Sequence, residues 1–288
     1  QLARLAVDAL RSVAEEDRVA ATERCAVELA SMKRELDALM EIHPARGTES
    51  LAIIELCLAQ IDLLQSRPYK ALERLSRPEM NRTSPAIRQA VDMARVEAAL
   101  ANSRPAAVRA VVASLAPASR EAVARQMLPR LLAGVGDRLP SDPLESPVAA
   151  EALRQLAELL EATAPSDVQS RLLIAESFRR GGVPDRGLTV VETILAEQAD
   201  LADAIFVQAE CLRAIPETEE SRIIPLYGQL IKGTDPTTNH GRYWTAQVRL
   251  LESMRDHGRD PEEILARINR LRQQWPELGG TPWRGRII

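Results

Sequence analysis

Pro68, Pro105, Pro147, Pro184, Pro216 and Pro261 each stand just ahead of a segment whose apolar residues recur at helical spacing. Proline suits the first position of a helix, because its missing N–H would have no intrahelical partner there. The six are separated by 37, 42, 37, 32 and 45 residues, a mean of 38.6, and each interval holds two helical segments. A period of that length belongs to stacked helix hairpins, none of which buries its apolar face alone. One echo is literal: Ser66-Arg67-Pro68 returns as Ser103-Arg104-Pro105 after 37 residues. Ser146 and Asp260 stand where N-caps of their helices are expected.

The rest of the chain reads the same way. Leu2, Leu5, Ala6, Ala9, Leu10 and Val13 trace one helical face, and residues 17–41 form a longer stretch with Ala21, Cys25, Leu29, Met32, Leu36 and Leu39 as its stripe. No stretch alternates as a strand requires, so the predicted class is all-α. Seven hairpins follow: 2–16 with 17–41, 48–65 with 68–75, 84–101 with 105–115, 119–134 with 147–163, 167–180 with 184–197, 200–214 with 216–231, and 242–257 with 261–274. The polar, proline-rich loop 137–146 separates an N-terminal hairpin region, 1–136, from a C-terminal region, 147–288. It is short enough to be a long hairpin turn inside one continuous array.

Composition narrows the function classes. Of 288 residues, 45% are hydrophobic and 27% charged, which excludes a chain disordered from end to end. No run approaches the ~20 apolar residues of a membrane span. Only 3% are aromatic; helices stacked in a thin array need small residues at their crossings instead of one thick core of rings. Lysine occurs only at Lys33, Lys70 and Lys232, so the basic residues are mostly Arg. They are scattered, the net charge is −4, and no basic cluster marks a nucleic-acid footprint. Cys25, Cys57 and Cys211 form neither a disulfide framework nor a CxxC pair. That suits a reducing compartment such as the cytoplasm. The chain begins Gln-Leu-Ala, so its start does not argue against the cell envelope or periplasm.

From about Ser166 onward the chain resembles tetratricopeptide repeats. Ala175 is followed by Phe178, the turn Gly181-Gly182, and Gly187 twelve positions after Ala175, with Val191 and Ile194 next. Thirty-four residues on, the period of that family, Ala209 and Leu212 repeat the small-then-large pair and Ser221 takes the second small place. Ala59, Ala71 and Leu75 repeat the same spacing, and Trp275-Pro276-Glu277-Leu278-Gly279-Gly280 resembles the end of some bacterial arrays of this kind. The family's early aromatic and closing proline are mostly missing, and the longer mean interval of 38.6 residues favours the competing assignment, a HEAT-like or other helical solenoid. The resemblance implies a right-handed superhelical α-solenoid of about seven stacked hairpins, whose first helices line a concave surface for a protein or peptide partner. By it, Leu172, Glu176, Arg179 and Arg180 line the groove in one hairpin, and Phe206, Glu210 and Arg213 in the next. Tyr243 and Trp244 are further candidates, while Trp275 and Trp283 fit the capping of an end repeat.

Motifs for chemistry are missing. The sequence has no GxxxxGK[ST], no strand-bounded GxGxxG and no HExxH. His43, His240 and His257 have no partner at metal spacing, and Asp256, His257 and Asp260 read as a solvated turn. Arg179-Arg180-Gly181-Gly182 reads as a helix C-terminus and its cap. The expectation is a non-enzymatic interaction scaffold without cofactor, metal or catalytic residue. The rival expectation is a structural subunit of a larger bacterial assembly that packs by solenoid self-association or as a segment of a longer chain.

Overall fold

The computed structural model describes residues 15–42, 48–133 and 146–287. Among these the protein is entirely helical, with fourteen α-helices, one 3-10 turn and no strand. The face traced by Leu2 to Val13 and most of loop 137–146 lie outside the described residues. The helices are α1 Glu15–Ile42, α2 Thr48–Leu64, α3 Pro68–Leu75, α4 Pro85–Ala101, α5 Pro105–Ser114, α6 Arg120–Ala133 and α7 Pro147–Glu161. They continue as α8 Val168–Arg180, α9 Pro184–Glu197, α10 Ala202–Ala214, α11 Glu220–Gly233, α12 His240–Asp256, α13 Pro261–Gln274 and α14 Arg284–Ile287. The chain divides into two compact units, 1–127 and 128–288, at a point inside α6.

The prolines do what their chemistry suggests. Five of the six open a helix, at α3, α5, α7, α9 and α13, and Pro85 opens α4 as well. Ser146 accepts a hydrogen bond from the Ala149 N–H at 3.3 Å, and Asp260 accepts one from the Glu262 N–H at 3.0 Å. Pro216 departs from the pattern. It lies in a turn where Glu217 takes a φ of 62° and the Thr218 hydroxyl donates to the Ile215 carbonyl, so α11 begins only at Glu220. Ser221 is consequently exposed at the start of α11, and not at a helix crossing as its twelve-residue spacing suggested. Ile223, Tyr227 and Leu230 fill that interface instead.

The literal echo has a backbone reason. Ser66 and Ser103 take φ of 56° and 55°, two residues ahead of the helix-opening prolines, and Gly182 takes 81° in the same place before Pro184. A left-handed residue reverses the chain between two antiparallel helices there. Glycine adopts it freely and serine only at a cost.

In the first unit α1 packs on α2, α2 on α3 and α4, and α4 on α5. One apolar cluster joins Leu29 of α1 to Ile54, Leu58 and Ile61 of α2. Another joins Ala52 and Ala59 to Ala71 and Leu75 of α3 and to Val91, Ala94 and Ala98 of α4. Met32, placed in the stripe of α1 by its spacing, is exposed.

In the second unit each helix from α7 to α13 packs on the next, and α8 also meets α10. The apolar clusters follow the chain in overlapping groups: α8–α9–α10, then α10–α11–α12, then α12 with α13 and the C-terminal residues. Small residues sit at the closest crossings. Ala175 and Ala209 are fully buried. A Cβ added to Gly187 would stand 2.7 Å from the Ala175 carbonyl oxygen and 3.0 Å from Cys211 Sγ. Helices this close leave no room for rings.

Candidate functional site

Four of the sequence-predicted residues of the second unit meet in one structure, a ladder of charges on α8, α10 and α12. Glu176 and Arg179 are one turn apart on α8, and Arg179 donates from Nε and Nη2 to the two carboxylate oxygens at 2.7 and 2.5 Å. Arg179 Nη1 then lies 3.5 Å from Glu210 Oε2 on α10. Arg213, one turn beyond Glu210, reaches the same oxygen at 3.5 Å, and Arg249 Nε of α12 stands 3.3 Å from Glu210 Oε1. The Tyr227 hydroxyl donates to Oε1 at 2.6 Å. Arg249 Nη1 goes on to Glu252 at 2.6 Å, and Arg286 of α14 closes the series on the other Glu252 oxygen.

The placement follows from sequence. Glu-x-x-Arg puts both side chains on one helix face, and Glu176/Arg179 recur after 34 residues as Glu210/Arg213. Arg249, Glu252, Tyr227 and Arg286 escape the sequence reading. On α12 the order is reversed to Arg-x-x-Glu and the interval lengthens to 39. The doubled Glu-x-x-Arg at the repeat period was the available signal.

Electrostatically the ladder is closed on itself. Burial pushes the Glu210 carboxyl up. The guanidiniums of Arg249, Arg213 and Arg179, with the Tyr227 hydroxyl, outweigh burial and hold it below the usual carboxylate range. Burial, followed by the Glu210 charge, drives the Tyr227 phenol well above its ordinary value. Burial also pushes the neighbouring Cys211 thiol up to about 12. At neutral pH Glu210 is ionised and ringed by cations, and Cys211 is a neutral thiol with the reactivity of a buried apolar group. The ladder holds helices together and leaves no group at its centre poised to exchange a proton.

The remaining predicted residues are placed as follows. Leu172 is buried between α8 and its neighbours. Arg180 is buried and donates to the Leu132 carbonyl at the end of α6 at 2.9 Å. Tyr243 and Trp244 are buried in an aromatic cluster. Trp244 meets Tyr243 and Trp275 edge-on at 5.4 and 6.4 Å, and Trp275 and Trp283 pack against it from outside. Packing inside the unit therefore covers the surface that Leu172, Tyr243 and Trp244 were expected to offer. Gly279, at φ 81°, lies so close over Trp244 that no side chain fits between them. Asp260, from the turn expected near His257, caps α13, while His257 lies against the Ser253 and Thr218 carbonyls at 2.8 and 3.1 Å and pins the α10–α11 turn.

Phe206 has a different setting. It is half-buried and lines a cavity of about 370 Å³ with Asp203, Asn239, Gly241, Arg242 and Thr245. This hollow separates α10 from the start of α12, on the helices that carry the ladder. The ion pair of Arg242 with Asp203 crosses it, and Trp283 Nε1 donates to Thr245 Oγ1 at 3.1 Å. An apolar ring beside a charged pair, open to solvent, can seat a peptide side chain and orient its backbone.

Among the described residues no group of three or more His, Cys, Asp or Glu is placed to hold a metal ion. No described helix is long and apolar enough to cross a membrane. Compared with known proteins, the chain matches no family model, no curated protein and no solved structure.

Proposed function

We propose that the chain is a non-enzymatic protein-interaction module, a tetratricopeptide-like α-solenoid whose second unit offers the face of α8, α10 and α12 to a partner protein or peptide. The observation that carries the reading is positional equivalence at the repeat period. Ala175 and Ala209 are both buried at crossings, and Glu176/Arg179 and Glu210/Arg213 build successive rungs of one ladder. Residues 34 apart doing the same work on alternate helices is how a repeat array presents an extended face.

On this reading the buried rungs set the spacing of α8, α10 and α12, and contact falls to the half-buried residues at their edge: Glu176, Phe206 and Arg213. The Phe206 hollow takes an apolar side chain, and Arg213 faces an acidic group. Immobilised wild-type chain and Phe206→Glu, exposed to an extract of the organism that makes the protein, test the face. A discrete protein retained by the wild type, displaced by soluble chain and lost with Phe206→Glu is the expected outcome. Equal recovery on both, with Phe206→Glu shown to be folded by tryptophan emission, contradicts the assignment. Stable self-association in sedimentation, weakened by Phe206→Glu, favours the assembly-subunit alternative.

A further inference from the structure

Between α11 and α13 runs a second trough, of about 620 Å³, that is separate from the Phe206 hollow and does not depend on it. Its floor is apolar: Leu250 and Met254, one turn apart on α12. Ile224 and Ile231 line the α11 wall, and both are only half covered. Between them on the same wall stands Gly228.

This glycine has no reason for being within the chain. It lies in the interior of α11, where glycine is among the poorest helix formers, and it shows no positive φ. A Cβ added to it would meet nothing within 4 Å, whereas the same addition at Gly187 collides with backbone. Ile224, Gly228 and Ile231 share one helical face at i, i+4 and i+7. The missing side chain therefore widens the trough at its middle, and a neighbouring backbone can come close there.

The charges on the rim are unbalanced. Arg259 is satisfied by Glu220 at 2.7 Å and Glu263 at 3.8 Å. Arg267 is not: its one hydrogen bond is from Nη2 to the neutral Gln247 amide at 3.2 Å, and its Nε is buried without a partner. Lys232, on the opposite wall, has no carboxylate within ion-pair distance among the described residues. Two cations thus face an apolar channel; one of them is partly stripped of water, and the carboxylate of Glu263 on the same rim acts on it without an ion pair or hydrogen bond between them.

We propose that this trough docks an acidic amphipathic helix of a partner protein. Apolar residues on one face of that helix cover Leu250, Met254, Ile224 and Ile231. Its backbone crosses at Gly228, and flanking carboxylates pair with Lys232 and Arg267. A channel between two helices with a third as its floor suits a helix laid lengthwise, with anchors at i, i+4 and i+7. The carboxylate for Arg267 supplies the bidentate partner that the chain itself does not provide.

The test is fluorescence anisotropy with two labelled helical peptides, one with a Leu stripe flanked by Glu and one with every Glu replaced by Lys. The acidic peptide is expected to bind saturably and the basic one not. Arg267→Glu and Gly228→Leu are each expected to weaken binding about tenfold, equivalent to about 1.4 kcal/mol. Gly228→Leu does not lower its thermal midpoint, because its side chain enters open space and leucine is the better helix former. The proposal is overturned by absence of saturable binding, by equal affinity for the two peptides, or by wild-type affinity in both variants. A homodimer in sedimentation that Arg267→Glu breaks would also overturn it, in favour of a second copy as the occupant.

Discussion

Glu55 in the first unit and Glu210 in the second are both buried carboxylates with three cations around them, yet they are held in different ways. The partners of Glu55 are Lys33 of α1 at 2.6 Å, Arg77 beyond α3 at 2.6 Å and Arg74 of α3 at 3.1 Å. Their side chains remain 24%, 39% and 28% exposed, so each reaches in from the surface. Around Glu210 the side chains of Arg179 and Arg249 are only 3% and 1% exposed, that of Arg213 is 21% exposed, and Tyr227 closes the remaining side. If its carboxylate is lost, the cations around Glu55 turn to water, and so can Arg213 beside Glu210, whereas Arg179 and Arg249 are too deeply buried to follow. The same charge arithmetic gives a surface clamp in one unit and an interior keystone in the other.

The sharpest way to break this comparison is neutralisation of each carboxylate. Glu210→Gln removes the carboxylate shared by three guanidiniums, leaves Arg179 with Glu176 and Arg249 with Glu252, and is expected to cost about 3–5 kcal/mol. Glu55→Gln is expected to cost about 1–3 kcal/mol, the range for losing a hydrogen bond to a charged group. The units can be read separately, because Trp244, Trp275 and Trp283 all lie in the second. Urea unfolding followed by tryptophan emission should therefore respond to Glu210→Gln and be nearly blind to Glu55→Gln, while far-UV circular dichroism reports both. Equal losses from the two substitutions would erase the distinction.

Acid gives the next largest effect. Burial raises both carboxyls, but their cationic partners more than offset it, and both folded-state values lie below the ordinary one. A group depressed on folding contributes its full stability above the unfolded value, near pH 4.5, and loses it as pH falls through the folded value. The tryptophan-reported midpoint should hold near neutral pH and drop on acidification below about pH 5. Glu210→Gln should flatten that drop, and Glu55→Gln should leave it intact.

The fold was legible because proline and small-residue positions carry local physics. A proline at the first turn of a helix reads the same in sequence and in space, so helices α2 to α10 fall within about two residues of their predicted bounds. Pro216 misled because the left-handed Glu217 after it delays α11 to Glu220, and no residue there signals a positive φ. The candidate site was half legible. Glu176, Arg179, Glu210 and Arg213 were found by register, but periodicity places a side chain on a face and does not say what covers that face. Once Arg249 and Tyr227 arrive from α12 and α11, Arg179 and Glu210 become interior residues, and only Glu176 and Arg213 of the four stay half-buried at the edge. Tyr243 and Trp244 were singled out as scarce aromatics, and that scarcity marked the packing of the C-terminal cluster.

Glycines allow a finer comparison within the second unit. Gly187→Ala forces a methyl against the α8 backbone and is expected to cost about 1–3 kcal/mol, while Gly228→Ala meets no atom and should gain about 1 kcal/mol of helix stability. Tryptophan-monitored melts of the two variants should move in opposite directions. If both destabilise, Gly228 has a packing role and the trough is narrower than described. The smallest effects belong to the first unit. Ser66→Gly and Ser103→Gly relieve a left-handed serine each and should stabilise by about 0.5–1 kcal/mol, read by circular dichroism. The matching change at Gly182, Gly182→Ala, should destabilise the second unit by a similar amount.

The most direct measurement of the interaction reading is site-specific photo-crosslinking inside the producing cell, with a benzophenone amino acid in place of Phe206. The account predicts one discrete adduct between the chain and a different protein, formed from position 206 and not from the exposed position of Leu265. Adducts only between copies of the chain, or none from position 206, would contradict it.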